Sequence, residues 1–207
     1  MTTFLFVRHG EATANQTPEY ICGQSNHIPL TELGKKQAKA FGHYLAEEDL
    51  SPDAIFSSGA VRADETARIA LAQTDIKLPI TQDSRVLEMS QGECEGLLRT
   101  TIYTPANIEK YEITTDHGKF PGGESLLDVQ ARMFDFIEEQ THAHPEGAIL
   151  VFSHGLAIRS LAGKIRNFSK QDILDEITGN VSLTAIQTQE DGHTVHFVGK
   201  NVIAEYT

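Results

Sequence analysis

Two histidine–glycine pairs in this 207-residue sequence combine residue types that could carry out group-transfer chemistry. His9-Gly10 directly follows Arg8 near the start of the chain, and His154-Gly155 comes far downstream. A neutral imidazole is a competent nucleophile when one ring nitrogen is free and the other donates to a backbone carbonyl. An adjacent guanidinium favours an anionic reaction partner. The two pairs therefore predict an anion-binding active site, provided that the fold brings them together.

Phosphate is the anion that fits this set of residues best. The guanidinium groups of Arg8 and Arg62 match phosphoryl oxygens in a bidentate manner. The helix predicted to begin after Gly155 adds backbone N–H donors and the positive end of its dipole. Because Arg8, Arg62 and His154 would neutralise the phosphoryl charge, we expect the reaction to need neither a metal ion nor a cofactor.

A leaving alkoxide requires a proton, and Glu88 is the candidate for the carboxylic acid that supplies it. Glu88 follows Val86 and Leu87 and precedes a long stretch without periodicity, where the chain could return to the site. Glu93 and Glu95 lie close by in the sequence and are alternatives for the same role.

Short apolar runs predict three buried strands, at residues 4–7, 54–56 and 148–152. Polar or small residues follow each run at once, namely Arg8-His9-Gly10, Ser57-Ser58-Gly59 and Ser153-His154-Gly155. Apolar periodicity predicts helices over 32–48, 60–71, from Ser125 onward and over 156–165. We therefore expect an α/β fold, a three-layer sandwich in which a mostly parallel mixed sheet has helices on both faces. Ligands of such sheets bind at the carboxyl ends of the strands, where the candidate residues would meet.

Several local features accompany this prediction. Thr31 and Ser125 are expected N-caps, with Asp128 completing a capping box. The expected buried positions are Leu33, Ala38, Phe41 and Leu45 on the first helix and Leu127, Ala131, Phe134 and Ile137 on the helix after Ser125. Residues 15–29 are predicted to be a loop, and residues 79–81 a weak strand. The tail is expected to form a hairpin that turns at Glu190-Asp191-Gly192.

Composition excludes several classes of protein. Hydrophobic residues make up 40% of the chain, which is enough for a buried core, and no run of apolar residues is long enough to span a membrane. The 17 Lys and Arg against 29 Asp and Glu give a formal charge of −12, which argues against nucleic-acid and anionic-membrane partners. Two cysteines and an N-terminus without a leader-like pattern predict a cytoplasmic protein without a disulfide framework.

A family resemblance covers most of the chain. Its segments are Arg8-His9-Gly10-Glu11 with Thr13 and Asn15, Gly23-Gln24, Pro29-Leu30-Thr31 with Gly34 and Gln37-Ala38, Ser57-Ser58 with Arg62-Ala63 and Thr66-Ala67, Glu88 before Gly92 and Glu95-Gly96, Pro121-Gly122-Gly123-Glu124-Ser125, and Ser153-His154-Gly155. In this order the segments resemble the histidine phosphatase superfamily, whose fold is phosphoglycerate mutase-like. The resemblance implies one histidine phosphatase domain over 1–207, with a lid-like excursion at about 89–122.

The resemblance also assigns roles to the candidate residues. His9 would be the nucleophile that becomes phosphorylated, and Glu88 would protonate the leaving group and then activate water. The expected phosphate-binding and substrate-binding residues are Arg8, Arg62 and His154, with Asn15, Gln24 and Gly155 in support.

The residues leave three functions open. The first is a phosphoric monoester hydrolase of the histidine acid phosphatase type, which takes a small phosphorylated metabolite and releases inorganic phosphate. The second is a 2,3-bisphosphoglycerate-dependent phosphoglycerate mutase. The excursion favours the first, because its cations Arg99, Lys110 and Lys119 are balanced by acidic residues, whereas the resemblance implies a larger and more basic insertion for the mutase. The third is a non-catalytic protein that binds a phosphorylated ligand, against which Glu88 argues.

Overall fold

Six strands form one sheet at the centre of the computed structural model, which describes residues 1–189 and 192–206. The strands are β1 (Thr2–Arg8), β2 (Ala54–Ser57), β3 (Ile80–Gln82), β4 (Ala148–Ser153), β5 (Leu183–Gln189) and β6 (Gly192–Lys200). They lie in the order β3-β2-β4-β1-β5-β6. The first four run parallel, whereas β5 and β6 are antiparallel additions. The mostly parallel mixed sheet is thus confirmed. β5 and β6 pair as the expected hairpin, but Glu190 and Asp191 of its expected turn lie outside the described residues.

Helices connect the strands and cover both faces of the sheet. They are α1 (Thr13–Gln16), α2 (Glu32–Glu47), α3 (Val61–Leu71), α4 (Arg99–Ile102), α5 (Pro105–Lys110), α6 (Leu126–Ala143), α7 (Gly155–Arg166) and α8 (Lys170–Asp175). The helices α2 and α3 pack on one face, and α6 and α7 pack on the other. The three-layer arrangement predicted from the alternation of strands and helices is therefore present.

Side-chain alternation along β1 explains how one strand serves two apolar layers. Phe6 packs in the cluster under α6, with Met133 and Phe136, whereas the next residue, Val7, packs in the cluster under α2, with Phe41. Successive side chains of a strand point to opposite faces of the sheet. Full burial of side chains of this size contributes about 1.5–3 kcal/mol each, so both layers hold β1 in place.

The predicted helix starts are confirmed by their capping contacts. The Thr31 hydroxyl accepts a hydrogen bond from the Gly34 N–H, and Ser125 and Asp128 form a reciprocal capping box. Each cap satisfies N–H groups that the first turn of a helix leaves without partners.

The buried face predicted for α6 was wrong except at Ile137, which is buried as expected. Leu127 and Ala131 are exposed and Phe134 is half-buried, while the buried face consists of Leu126, Val129, Gln130, Met133, Phe136, Ile137 and Gln140. Both sets fit a helical period, and the packing of α6 against the sheet selects the second. On α2, Leu33 is 49% exposed, although the other three predicted positions are buried.

Three short helices fall in segments that were expected to be irregular or were not assigned. These are α1, α4 and α8, none longer than six residues. Helices this short show too few turns for apolar periodicity to be visible in a sequence. Residues 89–122 are otherwise mostly turns, with a 3₁₀ turn at Gly92–Cys94 and the short helix α5. Among the described residues, no helix combines the length and the apolar character needed to cross a bilayer.

Candidate active site

The three strands with polar ends are neighbours in the sheet. β4 lies between β2 and β1, so the residues that follow these strands meet at one edge. The His9 N–H donates to the Ser153 carbonyl at 3.1 Å, and the Ser58 N–H donates to the Phe152 carbonyl at 3.1 Å. These bonds extend the parallel ladder by one residue and bring His9 beside His154, with 5.2 Å between ring centroids.

His9 has the geometry of a neutral nucleophile. Its Nδ1 lies 2.7 Å from the Gly10 carbonyl oxygen. Because a carbonyl only accepts, Nδ1 carries the proton and Nε2 keeps its lone pair. Burial, followed by the positive charges of Arg62 and Arg8, holds the pKa of His9 well below its usual range. The ring is therefore uncharged at neutral pH.

His154 is fully buried and is not among the residues that line the cavity described below. Its Nε2 lies 2.9 Å from the Ser58 hydroxyl oxygen, and its Nδ1 has no hydrogen-bond partner among the described residues. Burial and the Arg62 guanidinium hold the pKa of His154 well below its usual range. The structure thus brings His154 beside His9, but its neutral ring lies outside the cavity lining, so the expected neutralisation of phosphate charge by His154 has no support in this geometry.

Two guanidinium groups flank His9 without a carboxylate partner. Arg8 donates from Nη1 to the Thr178 carbonyl at 2.5 Å, and its buried Nε has no partner among the described residues. Arg62 is 1% exposed and donates to the carbonyls of Ser25 and Gly23. Neither forms an ion pair within the described part of the chain. Neutral carbonyls orient the two guanidiniums but leave their positive charge for an anion.

Arg159 is a third such guanidinium, which the sequence reasoning missed. It lies one turn after Gly155 on α7 and lines the same cavity. It donates to the carbonyls of Gly155, Leu174 and Glu176. Burial lowers its pKa, although the negative charge of Glu88 opposes that shift. Its position four residues after Gly155, on the face of the helix N-terminus, was the available signal.

Glu88 is placed at the N-terminus of α7. Its carboxylate accepts hydrogen bonds from the backbone N–H groups of Leu156 at 3.2 Å and Ala157 at 3.0 Å, and from its neighbour Met89. Glu88 lines the cavity, whereas the alternatives Glu93 and Glu95 do not. Glu88 is therefore the one of the three candidates that reaches the cavity, and its role as the acid stays a prediction.

Two other glutamates line the cavity but are ion-paired. Glu124 pairs with Arg132 at 2.7 Å, and Glu176 pairs with Arg166 at 2.5 Å. Among the described residues that line the cavity, Glu88 is thus the carboxylate without an ion pair.

A cavity of about 740 Å³ opens above His9. Its described lining includes six Arg and Lys side chains against three Glu, in a chain whose net charge is −12. Tyr103 and Phe120 of the 89–122 segment form part of its wall, and Tyr111 packs on Phe120 at 5.6 Å between ring centroids. A locally positive cavity on an acidic protein concentrates anionic ligands.

The remaining predicted binding residues divide into two groups. Asn15 and Gly155 line the cavity, and the Asn15 side chain also accepts a bond from the Ala12 N–H. Gln24 is not among the lining residues. Its side-chain Nε2 instead donates to the backbone carbonyl of Glu88 at 2.9 Å. Direct substrate contact by Gln24 thus has no support in this geometry, because its side chain holds the backbone that carries Glu88.

Comparison with known proteins identifies what this site resembles. The sequence model of the histidine phosphatase superfamily (branch 1) matches residues 4–201. A 2,3-bisphosphoglycerate-dependent phosphoglycerate mutase of Rhizobium etli is 32% identical, and the match covers 84% of this chain and 85% of the mutase. Phosphoserine phosphatase 1 of Hydrogenobacter thermophilus is also 32% identical, with 78% of this chain and 74% of that protein covered. Both relatives bear names of enzymes that act on phosphate esters.

Solved structures agree with the fold. The protein YhfR of Bacillus stearothermophilus superimposes with a TM-score of 0.85 at 26% identity, covering 98% of this chain and 100% of YhfR. A phosphoserine phosphatase of Entamoeba histolytica gives a TM-score of 0.83 at 20% identity over the full length of both chains. The phosphoglycerate mutase-like fold is thus confirmed.

Proposed function

Because the chain belongs to the histidine phosphatase superfamily, we propose that it is a metal-independent phosphomonoester hydrolase that acts on a small phosphorylated metabolite through a phosphohistidine at His9. The observation that carries this proposal is the state of the His9 ring. The ring is buried and neutral, its Nδ1 is bonded to the Gly10 carbonyl, and the guanidiniums of Arg8 and Arg62 lie nearby. This is what a nucleophile toward a phosphoryl group requires.

In the first step, His9 Nε2 attacks phosphorus and the ester P–O bond breaks. The guanidiniums of Arg8, Arg62 and Arg159 stabilise the charge that spreads over the phosphoryl oxygens. Glu88 gives its proton to the departing alkoxide, so the products of this step are an alcohol, phosphohistidine and the Glu88 carboxylate.

In the second step, the Glu88 carboxylate takes a proton from water as the water oxygen attacks the phosphorus. The P–N bond to His9 breaks and inorganic phosphate leaves. The N–H groups of Leu156 and Ala157 stabilise the carboxylate between the steps. His9 and protonated Glu88 are regenerated, and the three guanidiniums carry the electrostatic role that a divalent cation has in other phosphoryl-transfer enzymes.

The mutase is the second candidate, and the Rhizobium etli relative supports it as strongly as the phosphatase relatives support hydrolysis. The two reactions share the phosphohistidine and differ in whether water or a second hydroxyl takes the phosphoryl group. A binding protein without catalysis is the least supported, because such a protein needs the arginines but not the unpaired carboxylate of Glu88 in the cavity that His9 lines. The histidine acid phosphatase type stays a prediction.

Phosphate release from p-nitrophenyl phosphate and a panel of metabolite monoesters, with EDTA present throughout, tests the proposed function. We expect turnover that EDTA does not reduce, and the ranking of the panel narrows the substrate class. In parallel, 3-phosphoglycerate is supplied with catalytic 2,3-bisphosphoglycerate. Fast isomerisation with little release of phosphate establishes the mutase instead, and inactivity in both assays contradicts both enzymes.

Replacing Glu88 with glutamine is expected to depend on the leaving group. Alkyl phosphates need a proton on the departing oxygen, so the rate of phosphohistidine formation should fall about 10²–10⁴-fold. For p-nitrophenyl phosphate, whose phenolate leaves without protonation, the rate of phosphohistidine formation should fall less than about tenfold. Single-turnover kinetics with both esters measures the step, and Glu93→Gln is the matched control. Equal losses for both esters would show that Glu88 acts only through its hydrogen bonds to α7.

A further inference from the structure

One wall of the cavity exposes large apolar side chains close to the phosphate pocket. Ile177 is 85% exposed and Leu174 is 43% exposed, and both line the cavity. Tyr20, which is 44% exposed, lines it as well. Exposed apolar surface inside a concave site commonly marks where a ligand binds. We call the side chains of Leu174 and Ile177 the apolar wall; Glu176 and Thr178 line the cavity beside them.

The apolar wall is held by the same guanidiniums that flank the phosphate pocket. Arg159 Nη1 donates to the carbonyl of Leu174 at 3.0 Å and also to that of Glu176. Arg8 Nη1 donates to the Thr178 carbonyl at 2.5 Å. Ile177 thus lies between Glu176 and Thr178, whose carbonyls accept hydrogen bonds from Arg159 and Arg8. These bonds fix the position of Ile177 relative to a phosphoryl group bound by Arg8. The alcohol esterified to that phosphoryl group can therefore contact this wall, which lines the same cavity.

The cations of the outer cavity are already engaged by protein groups. Lys119 pairs with Asp128 at 2.8 Å, and Arg99 donates to the Pro18 carbonyl at 2.9 Å. The Lys170 ammonium donates to two carbonyls of the 89–122 segment, those of Ile113 and Thr115. Of these three cations, Lys119 is neutralised by a carboxylate, whereas carbonyls orient Arg99 and Lys170 and leave their charge. An apolar substituent is favoured at Ile177 and Leu174 themselves, because their exposed side chains offer a ligand no hydrogen-bond partner.

We propose that the apolar wall is a specificity-determining surface for the alcohol portion of the substrate, and that preferred substrates are phosphate monoesters with a sizeable alkyl or aryl group. This inference rests on the phosphate site of the proposed function. A cavity of about 740 Å³ is far larger than a phosphoryl group, so it has room for such an alcohol. Burying Ile177 and Leu174 against it removes apolar surface from water in the complex.

A series of n-alkyl phosphates, from methyl through butyl to hexyl, tests this surface. A fully buried methylene contributes up to about a fourfold gain, so partial burial should raise kcat/KM about tenfold or more from methyl to hexyl. Ile177→Ala should lower kcat/KM for the hexyl ester about tenfold and leave the methyl ester within about twofold. Ile177→Leu should restore the hexyl ester. The control is Leu33→Ala, since Leu33 is an exposed apolar residue on α2, outside the described cavity lining.

Binding of n-alkylphosphonates, which cannot be hydrolysed, separates this inference from the proposed function. Their dissociation constants should tighten with chain length in the wild type and much less in Ile177→Ala. If the protein hydrolyses no ester but binds longer phosphonates more tightly, the apolar wall is supported and the proposed hydrolase is contradicted. If the dissociation constant does not change with chain length, the apolar wall is contradicted even where hydrolysis is intact. The same holds if Ile177→Ala weakens the binding of the methyl and hexyl compounds equally.

Discussion

His9→Ala is expected to lower phosphate release at least about 10⁴-fold, since it removes the atom that would bond to phosphorus. The fold should survive, because the side chain gives up one hydrogen bond to a neighbouring carbonyl, worth about 1 kcal/mol. Release is measured with p-nitrophenyl phosphate, and folding with thermal unfolding.

A direct readout accompanies the rate. Wild-type protein mixed with a ³²P-labelled ester and stopped in alkali should retain label, since a phosphorus–nitrogen bond to histidine survives base and is lost in acid. His9→Ala should retain none. His43→Ala, on the exposed side of α2, is the control and should label normally. If the His9 variant retained the label, another residue would be the nucleophile and the mechanism would be refuted.

Arg62→Met is expected to lower kcat/KM about 10³-fold or more, the size of effect known for arginines that stabilise a transferring phosphoryl group. Because Arg62 is buried and bonds the carbonyls of Ser25 and Gly23, the midpoint of thermal unfolding should fall too. Kinetics are therefore measured well below that midpoint. Arg68→Met, on the same helix but exposed, is the control and should change activity less than about twofold.

The pH profile separates an electrostatic role of Arg62 from a structural one. In the wild type, the pKa of His9 is held well below its usual range, so kcat/KM should fall only at a pH below that range. The positive charge of Arg62 contributes to the depression, so its removal should raise the pKa of His9 and move the acid limb to higher pH. An acid limb that stays in place would show that Arg62 has no electrostatic effect on His9.

The sequence alone was sufficient for the fold class and for the meeting of the strand ends. Buried parallel strands carry continuous apolar runs, and their carboxyl ends share one edge by topology. Arg8, His9 and His154 could therefore be assigned to one place from the sequence. The N-caps at Thr31 and Ser125 could also be predicted from the sequence, because an N-cap bond joins residues only three positions apart.

Tertiary structure alone decided which faces are buried and which groups reach the cavity. Leu126 is buried and Leu127 is exposed. The helical period of the sequence allows either residue to face the sheet, and only the packing of the helix selects Leu126. Gln24 bonds to the backbone beside the site, and Arg159 enters the cavity, because side-chain partners come from segments far away in the chain. The neutral state of His9 depends likewise on burial and on two arginines. Local pattern specifies elements and their ends, whereas burial, charge environment and wall composition arise only when distant segments pack together.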